Sequence, residues 1–136
     1  MRDVTLVSND LRTLLPNDFN GNKAESLAEE IESHNEAVVL VDEVLKLFEN
    51  NPNADFGAPG PFAHAIETFY GMGYEESLEM SLIRRPTTHT VWLANRIVNT
   101  GEDNSVRFRK LLVEVSGRLD IEDIVRKVAN EFVALH

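Results

Sequence analysis

Apolar residues recur every three or four positions along most of this chain, and that spacing is typical of α-helices. The clearest example is residues 36–49, whose apolar stripe consists of Ala37, Leu40, Val41, Val44, Leu45 and Phe48. The polar residues expected on the opposite, solvated side of that helix are Glu36, Asp42, Glu43 and Lys46. No two segments alternate polar and apolar residues convincingly enough to pair as strands. The pattern therefore predicts an all-α fold.

Further helices follow from the same spacing, with glycine, proline or a capping residue at their ends. They are predicted from Pro61 to the turn at 71–73 and over residues 74–85, 88–99, 103–117 and 120–135. Thr87 or Thr88 is expected to cap the helix over 88–99, and Asp120 the helix over 120–135. In the helix over 103–117, the inward residues are expected to be Val106, Leu111, Leu112 and Val115.

The helix over 88–99 is apolar nearly all round, and such a helix is usually the most buried one of its domain. We therefore expect Trp92 to be buried and Trp92→Ala to cost about 3–5 kcal/mol of stability. Asn95 and Arg96 interrupt this apolar run, so both are expected to be partly buried, with an acidic partner for Arg96.

Residues 1–22 give the weakest pattern. Val4–Val7 has the composition of a strand, whereas the leucines between residues 6 and 15 suit a short helix ended by Pro16. We adopt the helix, because an isolated strand would have no partner. The whole chain is then predicted to be a single domain of six or seven antiparallel helices, in which paired helices could also stack in a HEAT-like manner.

The chain is strongly acidic, with a net charge of −10. Such a charge repels nucleic acids and anionic membranes, so we expect neither as a partner, and it attracts basic proteins. With 43% hydrophobic and 26% charged residues, the composition is typical of soluble globular proteins. The first residues lack the apolar stretch of a signal peptide, and a cytoplasmic location is expected.

The acidic residues are concentrated in the first part of the chain, since residues 1–58 contain 12 acidic and four basic side chains. Between Glu25 and Glu49, eight acidic residues accompany the single Lys46. This segment is either a solvated face that maintains solubility or a docking surface for a basic protein. The residues predicted to contact such a partner are Glu29, Glu30, Glu32, Glu36, Asp42 and Glu43.

Motifs for catalysis or for cofactor binding are missing from the sequence. There is no cysteine, and no serine lies in a Gly-x-Ser-x-Gly motif. The loop at residues 56–61 contains Pro59 and Pro61, which lack the N–H groups that cradle a phosphate. His64 and Glu67 have a spacing that suits a metal, but no second helix supplies matching ligands. We expect no metal, no cofactor and no catalytic residue.

One segment concentrates positive charge, and it begins at Arg84 and Arg85. These two residues complement the C-terminus of the preceding helix, which explains them structurally. Together with His89 they form a secondary candidate interface. An enzyme with a site assembled from His64, His89 and Arg96 is the less favoured alternative.

Two runs within residues 57–99 resemble small bacterial proteins that are encoded beside secreted polymorphic toxins and are taken to be immunity proteins. The runs are Pro59-Gly60-Pro61-Phe62-Ala63-His64-Ala65-Ile66-Glu67 and Arg85-Pro86-Thr87-Thr88-His89-Thr90-Val91-Trp92-Leu93-Ala94-Asn95-Arg96-Ile97. The resemblance implies a protein that neutralises a toxin by direct binding, and it implies no catalytic residue. A helical structural or adaptor subunit that acts through self-association remains an alternative.

Overall fold

The structure is a computed structural model that describes residues 1–58 and 60–136. Its helices in this part of the chain are α1 (Val4–Thr13), α2 (Asn22–Ser33), α3 (Ala37–Asn50), α4 (Pro61–Glu67), α5 (Tyr74–Arg84), α6 (Thr88–Thr100), α7 (Asn104–Ser116) and α8 (Asp123–Ala134), and Pro16–Asp18 adds one 3-10 turn. No strand occurs among these residues, which confirms the all-α prediction. None of the helices just named is long and apolar enough to cross a membrane.

The eight α-helices are close to the predicted six or seven. The sequence analysis predicted the helix that begins near residue 36 but no separate helix over residues 22–33, where the structure has α2. Leu11 and Leu14 are buried, so the leucine pattern in residues 1–22 correctly favoured a helix over a strand.

Residue contacts divide the chain into two compact units, Met1–Ser77 and Leu78–His136. In the first unit α1 and α2 both pack against α3, and α4 packs against α2 and α3. The predicted stripe of α3 is buried throughout, from Ala37 to Phe48. The expectation of a single domain stays a prediction.

An aromatic cluster closes the core of the first unit. The ring of Phe56 stacks on Phe19, with centroids 4.5 Å apart, and meets the edge of Phe48 at 4.8 Å. Gly60 allows the chain to pass close to this loop, since a Cβ atom there would lie 1.5 Å from the carbonyl oxygen of Phe56. The loop around Phe56 is therefore fixed by packing, while the predicted loop residue Pro59 lies outside the described residues.

In the second unit α6, α7 and α8 pack on one another. Helix α6 begins with a capping box, in which Thr87 accepts a hydrogen bond from the N–H of Thr90 and the Thr90 hydroxyl accepts one from the N–H of Thr87. It ends at Gly101, whose φ of 67° is readily adopted by glycine. The predicted bounds and the predicted threonine cap of this helix are confirmed.

Three details of the second unit differ from expectation. Val106 is 77% exposed, and Phe108 is buried within the same helix. Asp120 does not cap α8, because Glu122 occupies that position. Instead Asp120 accepts two hydrogen bonds from Arg118, which lower the pKa of the Asp120 carboxyl. Helical spacing identified the apolar residues but not which of them the neighbouring helices cover.

Trp92 is less buried than predicted, since its side chain is half-buried. Arg96 is exposed, and its guanidinium lies over the Trp92 ring, 4.9 Å from the ring centroid. The expected partial burial of Arg96 is not met, and its guanidinium instead interacts with the face of the Trp92 ring at the surface. Asn95 is buried as expected, and its side-chain oxygen lies 2.9 Å from Nε2 of His136.

Candidate binding surface

A row of exposed carboxylates runs along α2. Glu25, Glu29 and Glu32 follow one another at intervals of four and three residues, which places them on one side of the helix. All three are exposed, as is Glu36 in the connection to α3. We call these four residues the acidic row. Glu25 was not singled out by the sequence analysis, although its spacing from Glu29 would have identified it.

Glu30 lies on the neighbouring side of α2 and is engaged within the protein. Arg2 donates two hydrogen bonds to its carboxylate, at 2.9 Å from Nε and 2.7 Å from Nη2. The same guanidinium contacts Asp10 at 2.8 Å. The hydrogen bonds to Glu30, followed by that to Asp10, raise the pKa of Arg2. These contacts join the start of the chain to α1 and α2.

Glu43 is not part of a solvated face, which corrects the sequence analysis. Its side chain is buried against α1, where Nε and Nη2 of Arg12 donate to its two oxygens at 3.1 and 2.7 Å. The pairing raises the pKa of Arg12. Asp42 is half-buried. Of the six carboxylates predicted to contact a partner, Glu29, Glu32 and Glu36 are therefore the exposed ones.

The connection between α2 and α3 is held by His34, which is 7% exposed. The N–H of Glu36 donates to Nδ1 of His34 at 3.0 Å, and Nε2 lies 2.8 Å from the carbonyl oxygen of Arg2. Both contacts are satisfied when Nδ1 accepts and the Nε2 proton is donated to the carbonyl. His34 is thus a structural residue that positions the backbone of Glu36, as the last member of the acidic row.

The acidic row belongs to the unit that carries the negative charge of the protein. Met1–Ser77 contains 15 acidic and four basic residues, a net charge of −11. Leu78–His136 contains eight acidic and nine basic residues, a net charge of +1. The division of charge is sharper than the sequence alone indicated, because the unit boundary assigns three more glutamates to the first unit: Glu67, Glu75 and Glu76.

The secondary candidate interface lies in the second unit. Arg84 ends α5 and Arg85 follows it, and both are exposed. Arg85 contacts Glu122 at 3.6 Å, a surface ion pair of the kind that contributes little to stability. His89 is half-buried in the first turn of α6. Arg84 and Arg85 place positive charge at the surface of the unit.

No group of three or more histidine or acidic side chains in residues 1–58 and 60–136 is arranged to hold a metal ion. His64 is exposed on α4, where Glu67 is half-buried. Among the residues of the rival enzyme hypothesis, His64 belongs to the first unit, whereas His89 and Arg96 belong to the second.

Comparison of the chain with protein-family models, with curated proteins and with solved structures gave no significant match.

Proposed function

We propose that this chain is a protein-binding module of the immunity type, which neutralises a basic toxin domain by covering it with the acidic row of α2. The observation that carries the proposal is the exposure of Glu25, Glu29, Glu32 and Glu36 on a unit of net charge −11. Four exposed carboxylates on one helix and its adjoining connection form a patch that attracts cations and repels phosphates. The resemblance of residues 57–99 to immunity proteins supports the same function.

The scaffold of the acidic row favours binding because it is held in place by contacts on the other sides of α2 and α3. Arg2 ties Glu30 to Asp10, and Arg12 ties α1 to Glu43 of α3. A partner therefore meets carboxylates on an ordered framework, and less conformational entropy is lost on binding. Glu30 and Glu43 thus stabilise the unit through ion pairs, whereas the carboxylates of the acidic row are exposed and available to the partner.

The proposed partner is a toxin domain that acts on nucleic acid, because such a domain needs basic residues to bind phosphates. Carboxylates that cover those basic residues would block the nucleic-acid site of the toxin domain. Their charge would also speed the association of the two proteins. The proposal includes no catalysis by this chain.

The first test is whether the neighbouring reading frame encodes a large secreted protein, and the second is binding of this chain to the C-terminal domain of that protein. We compare Glu25→Lys/Glu29→Lys/Glu32→Lys with a matched control that has the same net charge, Glu76→Lys/Glu102→Lys/Glu114→Lys. All six glutamates are exposed. The reversal in the acidic row should slow association at least about tenfold at low salt, and added salt should remove most of the difference.

Two outcomes would contradict the proposal. If the toxin domain does not bind the wild-type chain, the immunity function is wrong. If the control reversal slows association as much as the reversal in α2, net charge alone explains the effect, and the interface must be sought around Arg84, Arg85 and His89. Circular dichroism of both variants confirms that the helices remain folded.

A further inference from the structure

Helix α8 carries a wider apolar stripe than its own unit covers. Only Val125 and Ala129 are buried within the helix. Ile124 is 48% exposed and Leu135, just after the helix, is 73% exposed. Val128 is half-buried between them. Because Ile124, Val128 and Leu135 are separated by four and seven residues, they lie on one side of the helix and form a continuous strip.

The sequence of this strip is symmetrical about Val128. Ile124 and Phe132 lie four residues to either side of it within α8. When two copies of α8 pack antiparallel about a two-fold axis at Val128, Ile124 of each copy meets Phe132 of the other. Such self-complementarity is required of an interface between two identical chains.

Charged residues border the strip on its solvent side. Lys127 and Glu131 are both exposed there, one on each side of Val128 along the helix. In the antiparallel arrangement, Lys127 of one copy lies next to Glu131 of the other, and the two-fold axis repeats this contact. In this register Lys127 lies equally close along the axis to Glu131 and to Lys127 of the other copy, so two contacts between opposite charges accompany one between like charges. A parallel arrangement would place each of these residues directly beside its own copy.

We propose that α8 pairs antiparallel with α8 of a second copy and forms a homodimer through the strip around Val128. The strip runs from Ile124 to Leu135, roughly 17 Å of helix, so the interface is smaller than that of a permanent dimer. Monomer and dimer are then in exchange at concentrations on the order of micromolar to tens of micromolar. The acidic row belongs to the other unit, and the proposal does not depend on toxin binding.

Sedimentation velocity and equilibrium experiments on the full chain, from about 1 to 500 µM, test the proposal. The average mass should rise from 15.3 kDa toward twice that value. Ile124→Glu should weaken dimerisation at least about tenfold, because it places a charge in the apolar strip. Val106→Glu is the matched control, since Val106 is also an exposed apolar residue on a helix of this unit, and it should leave dimerisation unchanged.

A charge exchange tests the antiparallel register. Lys127→Glu alone and Glu131→Lys alone should each weaken dimerisation, by about fivefold, because like charges then meet twice. The double variant Lys127→Glu/Glu131→Lys should restore it. The proposal is overturned if the wild-type chain stays monomeric over the whole range, if Ile124→Glu dimerises normally, or if the double variant is no better than the single ones. A monomer would mean that another protein or segment covers the strip.

Discussion

The structure predicts that Phe56 contributes more to stability than the single tryptophan. Phe56 lies in a loop, yet it is only 3% exposed and contacts the rings of Phe19 and Phe48. Replacing a buried phenylalanine by alanine costs about 3–5 kcal/mol, and each favourable ring pair adds about 0.5–1.5 kcal/mol beyond area burial. We therefore expect Phe56→Ala to cost about 4–5 kcal/mol, a large part of the roughly 5–15 kcal/mol that stabilises a domain.

Trp92→Ala provides the comparison. Because Trp92 is half-buried on α6, with Arg96 over its ring, the substitution removes less packing and leaves a smaller cavity. We expect a loss of about 1–2 kcal/mol, roughly half of the value for a fully buried aromatic side chain. Phe56→Ala should therefore lower the free energy of unfolding more than Trp92→Ala, whereas the sequence alone singled out Trp92 as the critical aromatic residue.

Urea denaturation followed by far-UV circular dichroism measures both free energies of unfolding. Phe56→Leu serves as a control that retains most of the apolar volume but loses the ring contacts, and it should cost less than about 2 kcal/mol. If Phe56→Ala costs under about 1 kcal/mol, or less than Trp92→Ala, then the loop is not anchored by the aromatic cluster and the argument fails.

Two further predictions concern the helix starts. Thr87→Ala should lower the free energy of unfolding by about 1 kcal/mol, because the hydroxyl that accepts the hydrogen bond from the N–H of Thr90 is lost. Thr88→Ala should change the free energy of unfolding by less than about 0.5 kcal/mol, and urea titrations of the two variants check this. The backbone N–H of Thr5 lowers the pKa of the Asp3 carboxyl at the start of α1, so the stabilisation is present above the unfolded-state pKa and is lost as the pH falls through the folded-state pKa. The stability advantage of the wild type over Asp3→Ala should therefore shrink on acidification below about pH 4, and an advantage that grows on acidification would contradict it.

Much of the fold could be predicted from the sequence because helical periodicity is a local property. The bounds of α6 and the complete apolar stripe of α3 depend on residues three or four positions apart and on the caps next to them. The start of α3 was predicted, whereas α2 was not predicted as a separate helix, and the connection between α2 and α3 depends on a contact that is distant in the sequence. His34 holds that connection through the carbonyl oxygen of Arg2, which is 32 residues away in the chain.

The candidate site shows the same division. Its acidic character is a matter of composition, and the sequence by itself determined it. Which carboxylates stay exposed was decided by the tertiary structure. Glu30 and Glu43 pair with arginines 28 and 31 residues away in the chain, whereas Glu29 and Glu32 are exposed. Helical spacing determines the side of the helix on which a residue lies. Whether that residue is buried or paired with a charge depends on which other helix packs against that side.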